Sequence, residues 1–248
     1  MRRTWAALTL FFLKASILLV SMTLFIFPSS VIRDEMNDVE SDTKAALASS
    51  AASIIIENES TKAFFEELDE KCEAAIKRLE QLGINLIALD FDLTIIDDHT
   101  GGRWKEGARR LSTHVRPMFK RLLKAATMRD TKGLKTAVVT FSSQEALISN
   151  VMNQILPIAH IPVYGGIDKP KKGKLTHLEQ AIEDISKDPS RRKRVLVSKI
   201  TTVLIDDDEK NIFLARKNGY NAIIFDPERP MLLLEELTSL NLTDPASL

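Results

Sequence analysis

The sequence predicts an α/β fold, a three-layer α/β/α domain of Rossmann-like architecture around a central parallel sheet. Short apolar runs alternate with amphipathic segments of helical period, and several of the apolar runs end in polar residues. Strands of a parallel sheet are buried on both faces and therefore form continuous apolar runs. Alternation of such strands with helices is typical of a parallel α/β sheet. With 248 residues, 44% of them hydrophobic, the chain has room for one such domain and further segments.

The individual elements follow from this pattern. Apolar residues at helical spacing predict a core-packing helix over residues 61–82, which Gly83 ends. The next apolar run ends at Asp90 and predicts a buried strand. The next expected elements are a helix over about 109–126, a strand at 135–140 and a helix that opens at 172–178 and runs to about 187. Strands at 202–206 and 222–225 and a last helix near 231–240 complete the pattern.

Two carboxylates stand at the tip of the first strand. Asp90 and Asp92 belong to the pattern Asp-x-Asp-x-Thr, which Thr94 completes. Carboxylates crowded at a strand end repel one another unless a cation lies between them. A hard divalent ion that prefers oxygen ligands suits this position, so the motif predicts a Mg²⁺ site.

Two further motifs follow along the chain. Thr140 ends the second apolar strand and is followed by Ser142 and Ser143 at the start of a helix, where hydroxyls and free amides can hold a phosphate. Lys172 and Lys174 then precede an amphipathic helix. The ammonium group of either lysine could supply positive charge beside the acidic strand tip.

The fourth motif is a second acidic strand end. Asp206, Asp207 and Asp208 follow an apolar run, and Asn211 comes one helical turn later. By themselves these acids would also suit the N-terminus of a helix, where the macrodipole stabilises negative charge.

The order of these four motifs resembles the haloacid dehalogenase superfamily of aspartate-nucleophile phosphatases over residues 85–225. The stretches 174–179 and 205–211 are most similar to the magnesium-dependent phosphatase branch, whose members lack a large cap domain. The resemblance implies a Mg²⁺-dependent phosphomonoesterase that forms an aspartyl-phosphate.

Carried to this chain, the resemblance assigns four catalytic roles. It makes Asp90 the nucleophile and Asp92 the general acid and base. It makes Thr140 a hydrogen-bond donor to the transferring phosphoryl group. A lysine would neutralise the developing charge, with Lys174 preferred and Lys172 as the alternative.

The same resemblance implies the metal ligands. A carboxylate of Asp90, the backbone carbonyl of Asp92 and a carboxylate of Asp206 would bind Mg²⁺. Asp207 would bind through water or orient the lysine, whereas Asn211 would fix the turn and the helix start. Mg²⁺ keeps several waters, so few protein ligands suffice.

Short spacings between the motifs leave no room for a large cap, so we expect an open site that admits a phosphoprotein or another macromolecular phosphate as well as a small metabolite. Residues 97–104, hereafter the entrance loop, are the best candidate for substrate selection. There His99 or Arg103 could hold a phosphate, and Trp104 could stack on a ring or anchor the loop. Two other functions stay open, namely a non-catalytic phosphate- or metal-binding module and a phosphotransferase.

The N-terminus predicts a membrane or targeting segment. Residues 5–27 are nearly all apolar and follow a basic start, which favours a signal anchor with the domain lumenal or extracellular. A cleaved signal peptide, giving a secreted protein, is the alternative. The predicted organisation is a targeting segment at 1–28, a tether at 29–60, the phosphatase-like domain at 61–240 and a tail at 241–248.

Charge argues against a nucleic-acid partner. The whole chain has a formal net charge of zero, and the first 33 residues hold four basic and no acidic side chains, which leaves −4 for the remainder. A domain that binds nucleic acid usually carries a basic excess. The expected partners are therefore a phosphorylated substrate and, through the N-terminal segment, a membrane.

Overall fold

The structure is a computed structural model that describes residues 60–129, 133–166, 173–187 and 196–241. It divides the chain into two compact units, and the fold described here belongs to the second, Phe64–Leu248. The predicted targeting segment, all but the last residue of the predicted tether, Lys172 and all but the first residue of the predicted tail lie outside the described residues. Within the described ranges, no helix is both long enough and apolar enough to cross a membrane.

A sheet of five parallel strands forms the middle layer. Its spatial order is β3-β2-β1-β4-β5, so the first strand is central. The strands are β1 (Leu86–Leu89), β2 (Lys135–Val139), β3 (Val163–Tyr164), β4 (Thr202–Asp206) and β5 (Asn221–Ile224). Every residue of β1 is buried, as the apolar run predicts for a strand with neighbours on both sides.

Helices cover both faces of the sheet. They are α1 (residues 60–81), α2 (Gly107–Leu111), α3 (Pro117–Thr127), α4 (Glu145–Ile155), α5 (Leu175–Lys187), α6 (Glu209–Lys217) and α7 (Leu232–Ser239). On one face, Ile87 and Leu89 of β1 join a core built by α1, α3, α4 and α7. On the other face, Leu86 and Ala88 join a core built by α5 and α6. The predicted three-layer α/β/α fold with a parallel sheet is confirmed.

The register of the sheet positions the polar motifs. Leu89 of β1 pairs with Val138 of β2 on one side and with Ile205 of β4 on the other. The residues that follow these positions therefore emerge at one edge of the sheet. In open parallel sheets, ligands bind beyond this carboxyl edge.

The prediction of one continuous helix over about 109–126 is wrong. After α2 the chain makes a short turn at Ser112–His114, and Val115 then pairs with Ile96 in an isolated antiparallel bridge. Helix α3 begins only at Pro117. Proline disfavours the helical conformation in the residue before it, and Arg116 is accordingly extended at φ −59° and ψ 133°.

Gly165, directly after β3, provides a test of the packing at the carboxyl edge. A Cβ added there would lie 2.6 Å from the carbonyl oxygen of Ser142, which already accepts a hydrogen bond from the Gly166 N–H. We expect Gly165→Ala to lower the free energy of unfolding by about 1–3 kcal/mol, because the backbone must move to relieve the contact. Thermal unfolding beside Ser143→Ala, an exposed control next to Ser142, measures the effect. Equal melting temperatures for both variants and the parent would show that the turn is not packed this tightly.

Candidate active site

The four motifs of the sequence meet at the carboxyl edge of the sheet. Asp90, Thr140 and Asp206 stand at the ends of β1, β2 and β4, and all three are buried. They line one cavity of about 370 Å³. The cavity is lined by Asp90, Asp92, Leu93, His99, Gly101, Gly102, Thr140, Phe141, Ser142, Ser143, Lys174, Asp206, Asp207, Asp208 and Asn211.

A buried ammonium lies between two buried carboxylates. The Lys174 Nζ contacts Asp90 Oδ1 directly and lies 2.9 Å from Asp206 Oδ2. Gly173, at φ +54°, leads the chain into this position, and a Cβ there would lie 2.9 Å from the Leu214 side chain. Lys174, the preferred lysine of the sequence analysis, is thus the one that the described structure brings to Asp90.

Asp206 is held by two further donors. The Asn211 side-chain amide lies 3.2 Å from each oxygen of the Asp206 carboxylate, and the Asp208 backbone N–H donates to Asp206 Oδ1 at 2.9 Å. Asp208 also caps α6 by accepting from the Lys210 N–H at 2.8 Å. Asn211 therefore fixes the acidic turn, as the sequence predicts, and does so through the carboxylate itself.

Asp90, Asp206 and Asp207 form the acidic cluster of the site. Each offers a carboxylate oxygen, and these atoms all lie within 4.8 Å of one another. Asp207 is oriented by Thr94, whose buried hydroxyl donates to Asp207 Oδ1 at 3.1 Å. The cluster gathers three carboxylates around the single ammonium of Lys174. The cluster is therefore compatible with a divalent cation.

Burial and charge shift the proton affinities of the central pair. Burial raises the pKa of Asp90 to about 8, while the Lys174 ammonium opposes this rise and the charge of Asp206 adds to it. Burial acts to lower the pKa of Lys174, but Asp90 and Asp206 outweigh it and raise that pKa. The lysine accordingly stays charged. The cost of burying charge appears instead as the raised pKa of Asp90.

Asp92 lies apart from this acidic cluster. The Thr100 hydroxyl lies 2.9 and 3.0 Å from the two oxygens of its carboxylate, and His99 Nδ1 lies 3.5 Å from Asp92 Oδ2. The predicted pair of strand-tip carboxylates is thus split. Asp90 faces Lys174 at the bottom of the cavity, whereas Asp92 faces the entrance loop.

A single wide turn over Phe91–Ile95 produces this split. The Ile96 N–H bonds the Phe91 carbonyl at 3.1 Å, and Leu93 adopts a left-handed conformation at φ +58°. A bulky side chain rarely adopts this conformation. It costs of order 1–3 kcal/mol in a residue other than glycine, and such residues cluster at functional sites. Nothing in the sequence around Leu93 marks it for this conformation.

Thr140 presents its hydroxyl to the cavity. Its oxygen accepts a hydrogen bond from the Ser142 N–H at 3.1 Å, and the Ser142 hydroxyl accepts from the Gln144 N–H at 3.2 Å. Since the Thr140 oxygen already accepts within the turn, its hydrogen is the group that can donate to a ligand oxygen. The predicted phosphate-binding turn therefore has a suitable donor.

The residues proposed for substrate selection separate in the structure. His99 lines the cavity, whereas Arg103 is exposed beyond its lining. Trp104 anchors the loop, because its backbone bonds the Gln144 side chain and its ring nitrogen donates to the Gly107 carbonyl at 3.1 Å. Thr100 lies in the entrance loop and Gln144 lies at the helix start after Thr140, but nothing in the sequence predicts their contacts with Asp92 and Trp104.

No protein-family model and no curated protein sequence matches the chain. Among solved structures, it is similar to the N-terminal part of a Bacteroides fragilis protein containing a phosphatase domain complexed with Mg. The identity is 15% and the TM-score 0.42, with 66% of this chain and 42% of that chain covered, so this chain spans less than half of that one. It is also similar to the HAD domain of the effector protein Lem4 from Legionella pneumophila, at 15% identity and TM-score 0.38 over 62% of this chain and 94% of that chain.

A third similar structure is a haloacid dehalogenase-like family hydrolase from Streptococcus pneumoniae, at 12% identity and TM-score 0.33 over 58% of this chain and 85% of that chain. Similarities this weak carry no argument about activity. The parallel sheet and the four motifs gathered at its carboxyl edge are this chain's own features. In both respects the chain resembles the haloacid dehalogenase superfamily, as the sequence predicts.

Replacing Lys174 by methionine tests the charge balance of the site. The variant keeps much of the side-chain volume but removes the positive charge beside the buried carboxylates. We therefore expect the free energy of unfolding to fall by about 3 kcal/mol near pH 8 without metal. The loss should shrink as the pH falls. The folded pKa of Asp90 lies above its unfolded value and rises further without Lys174, so protonation below that pKa removes the unpaired charge.

Urea denaturation at pH 5 and pH 8 in a chelating buffer measures this loss. Lys187→Met is the matched control, because Lys187 lies exposed at the end of α5, the helix that follows Lys174. A loss that is equal at both pH values, or that grows towards pH 5, would contradict the assignment of Lys174 as the counter-charge.

Proposed function

We propose that this protein is a Mg²⁺-dependent phosphomonoesterase that works through an aspartyl-phosphate on Asp90. One observation carries the proposal, namely the buried contact of Lys174 with both Asp90 and Asp206. A fixed ammonium beside a carboxylate, with the Thr140 hydroxyl at the same cavity, suits a phosphoryl group that carries negative charge.

The carboxylates of Asp90, Asp206 and Asp207 are the groups that would hold Mg²⁺, together with the backbone carbonyl of Asp92. Their donors are all oxygens, which a hard cation prefers. When bound, the ion would offset the negative charge of the carboxylates and of the phosphate oxygens. Thr94 and Asn211 would keep Asp207 and Asp206 oriented for this task.

In the first step Asp90 attacks phosphorus through a carboxylate oxygen, and the bond from phosphorus to the leaving oxygen breaks. Asp92 donates its proton to that oxygen, so the product leaves as an alcohol. Lys174 and Thr140 stabilise the charge on the phosphoryl oxygens during the transfer. The burial of Asp90 reduces its solvation by water and thereby favours its attack on phosphorus.

In the second step water attacks phosphorus and loses a proton to Asp92. The bond between Asp90 and phosphorus breaks, and phosphate is released with Asp90 regenerated. Covalent catalysis of this kind replaces one difficult step by two easier ones. Asp92 suits both proton transfers because its carboxylate lies at the entrance loop and lines the cavity.

We further propose that the substrate is a bulky or macromolecular phosphomonoester. The described chain reaches Thr140 from Asp92 through the entrance loop, α2, α3 and β2, and from Thr140 to β3 through α4 alone. No cap domain interrupts these two stretches where they are described. The wall at the cavity mouth is therefore formed by short segments, including the glycine pair Gly101-Gly102.

The N-terminal segment is proposed to attach the domain to a membrane, with the catalytic domain in the secretory lumen or outside the cell. Its basic, strongly apolar sequence supports this topology. Fractionation of cells that make the full-length chain, with glycosidase treatment, tests the proposal. We expect the protein in the membrane fraction or the medium. Recovery only as an unprocessed cytosolic protein would contradict it.

Asp90→Asn tests the nucleophile. The amide preserves the shape of the side chain but is a poor nucleophile and a poor metal ligand, so we expect phosphate release to fall at least about 10³-fold. The assay compares full-length parent and variant on phosphopeptides and small phosphomonoesters, with and without Mg²⁺. Asp184→Asn, an exposed carboxylate on α5, is the matched control and should keep full activity.

Equal phosphate release from the parent and Asp90→Asn would contradict the proposed nucleophile. If the parent releases no phosphate on any substrate but still binds Mg²⁺ and phosphate, a non-catalytic binding module is the better reading. Transfer of phosphate to an added alcohol instead of to water would identify a phosphotransferase.

A further inference from the structure

The side chain of Gln144 bonds both backbone groups of a residue 40 positions earlier. Gln144 Oε1 accepts from the Trp104 N–H at 2.8 Å, and Gln144 Nε2 donates to the Trp104 carbonyl at 2.9 Å. An N–H can only donate and a carbonyl can only accept, so the two contacts fix the orientation of the amide. These two hydrogen bonds resemble the pair that a β-strand residue exchanges with a neighbouring strand, except that a side chain replaces the neighbouring backbone.

The position of Gln144 makes this use of its side chain unusual. Gln144 is the first flanking residue of α4, where a side chain commonly caps the helix, yet its side chain makes no capping bond. Its backbone N–H is bonded by the Ser142 hydroxyl. The amide of Gln144 is thus committed to the entrance loop and not to its own helix.

A second contact brings the same two segments together. Gly102 of the entrance loop lies at φ +68°, and a Cβ there would be 3.6 Å from Ser142 Oγ and 3.7 Å from the Ser143 nitrogen. The loop therefore packs closely against the turn that follows Thr140. One wall of the cavity is formed by this junction, since Gly101, Gly102, Ser142 and Ser143 all line it.

The loop, in turn, holds Asp92. The Thr100 hydroxyl bonds the Asp92 carboxylate and also accepts from the Gly102 N–H at 3.2 Å. The Arg103 N–H donates to the Thr100 carbonyl at 3.1 Å. Arg103 directly precedes Trp104, the residue to which Gln144 is hydrogen-bonded. Gln144 is thus hydrogen-bonded to Trp104, the adjacent Arg103 is hydrogen-bonded to Thr100, and Thr100 is hydrogen-bonded to Asp92.

We propose that Gln144 is a positioning residue that clamps the entrance loop against the phosphate-binding turn and thereby fixes Asp92 and the cavity mouth. The role of the clamp in turnover rests on the proposed phosphatase function. Because the loop is tied at Trp104 to the helix that follows Thr140, substrates meet a fixed wall in place of a mobile lid. Gln144 acts on the reaction only through the loop.

Limited proteolysis of the full-length chain tests the clamp without reference to activity. Arg103 and Lys105 flank Trp104 and are exposed, so trypsin can cut the loop only where it opens. Gln144→Met keeps the side-chain volume but loses both bonds. We expect cleavage after Arg103 and Lys105 to accelerate about tenfold or more, because two neutral hydrogen bonds are lost. Gln154→Ala, exposed on the same helix, is the control and should leave cleavage unchanged.

Turnover tests the second half of the proposal. We expect Gln144→Met to lower kcat about tenfold in the parent's best assay and to change KM less for small substrates, because Asp92 loses its fixed position. The effect should be non-additive with Thr100→Val, since both variants release Asp92 through the same set of contacts.

Unchanged proteolysis in Gln144→Met would overturn the clamp whatever the activity. Faster proteolysis with unchanged kcat would overturn its positioning role. If the parent itself shows no turnover, the proposed function fails, and the proteolysis comparison still decides whether Gln144 holds the loop.

Discussion

The contact of Lys174 with Asp90 and Asp206 is the interaction on which the rest of the site depends. The lysine and both carboxylates are almost fully buried, and removing ions from water is costly unless their charges and hydrogen bonds are matched. The parallel register of β1 and β4 sets the two carboxylates side by side, and Gly173 lets the lysine reach them. One ammonium faces three carboxylates, so the same arrangement that stabilises the lysine is compatible with a further cation.

The two strand-tip aspartates have different environments because the chain turns sharply between them. Asp90 is buried with the lysine, whereas Asp92 is displaced by the wide turn at Leu93 towards Thr100. A buried nucleophile and a more accessible acid–base group suit the two chemical roles that we propose. Backbone strain at Leu93 is thus the local cost of separating two carboxylates that the sequence places two positions apart.

The sequence predicts the sheet and the acidic edge well, because buried strands and the polar residues at their ends are local patterns. The predicted position of Lys174 rests on its place in the order of motifs. The expectation of one helix over 109–126 fails at Pro117, although the proline itself marks the break. The left-handed Leu93 and the clamp from Gln144 to Trp104 could not be predicted. The conformation of Leu93 depends on the structure around it. The Gln144 clamp joins a side chain to backbone atoms 40 positions away.

Chemical trapping of the acyl-phosphate tests the central claim most directly. Turnover by the full-length protein with Mg²⁺ would be quenched in acid and treated with borohydride, which reduces an aspartyl-phosphate to homoserine. Mass spectrometry of the peptide that contains Asp90 then reports the modified residue. The account predicts homoserine at position 90 and only in samples that received substrate. An unmodified Asp90 during demonstrated turnover, or trapping at another residue, would contradict it.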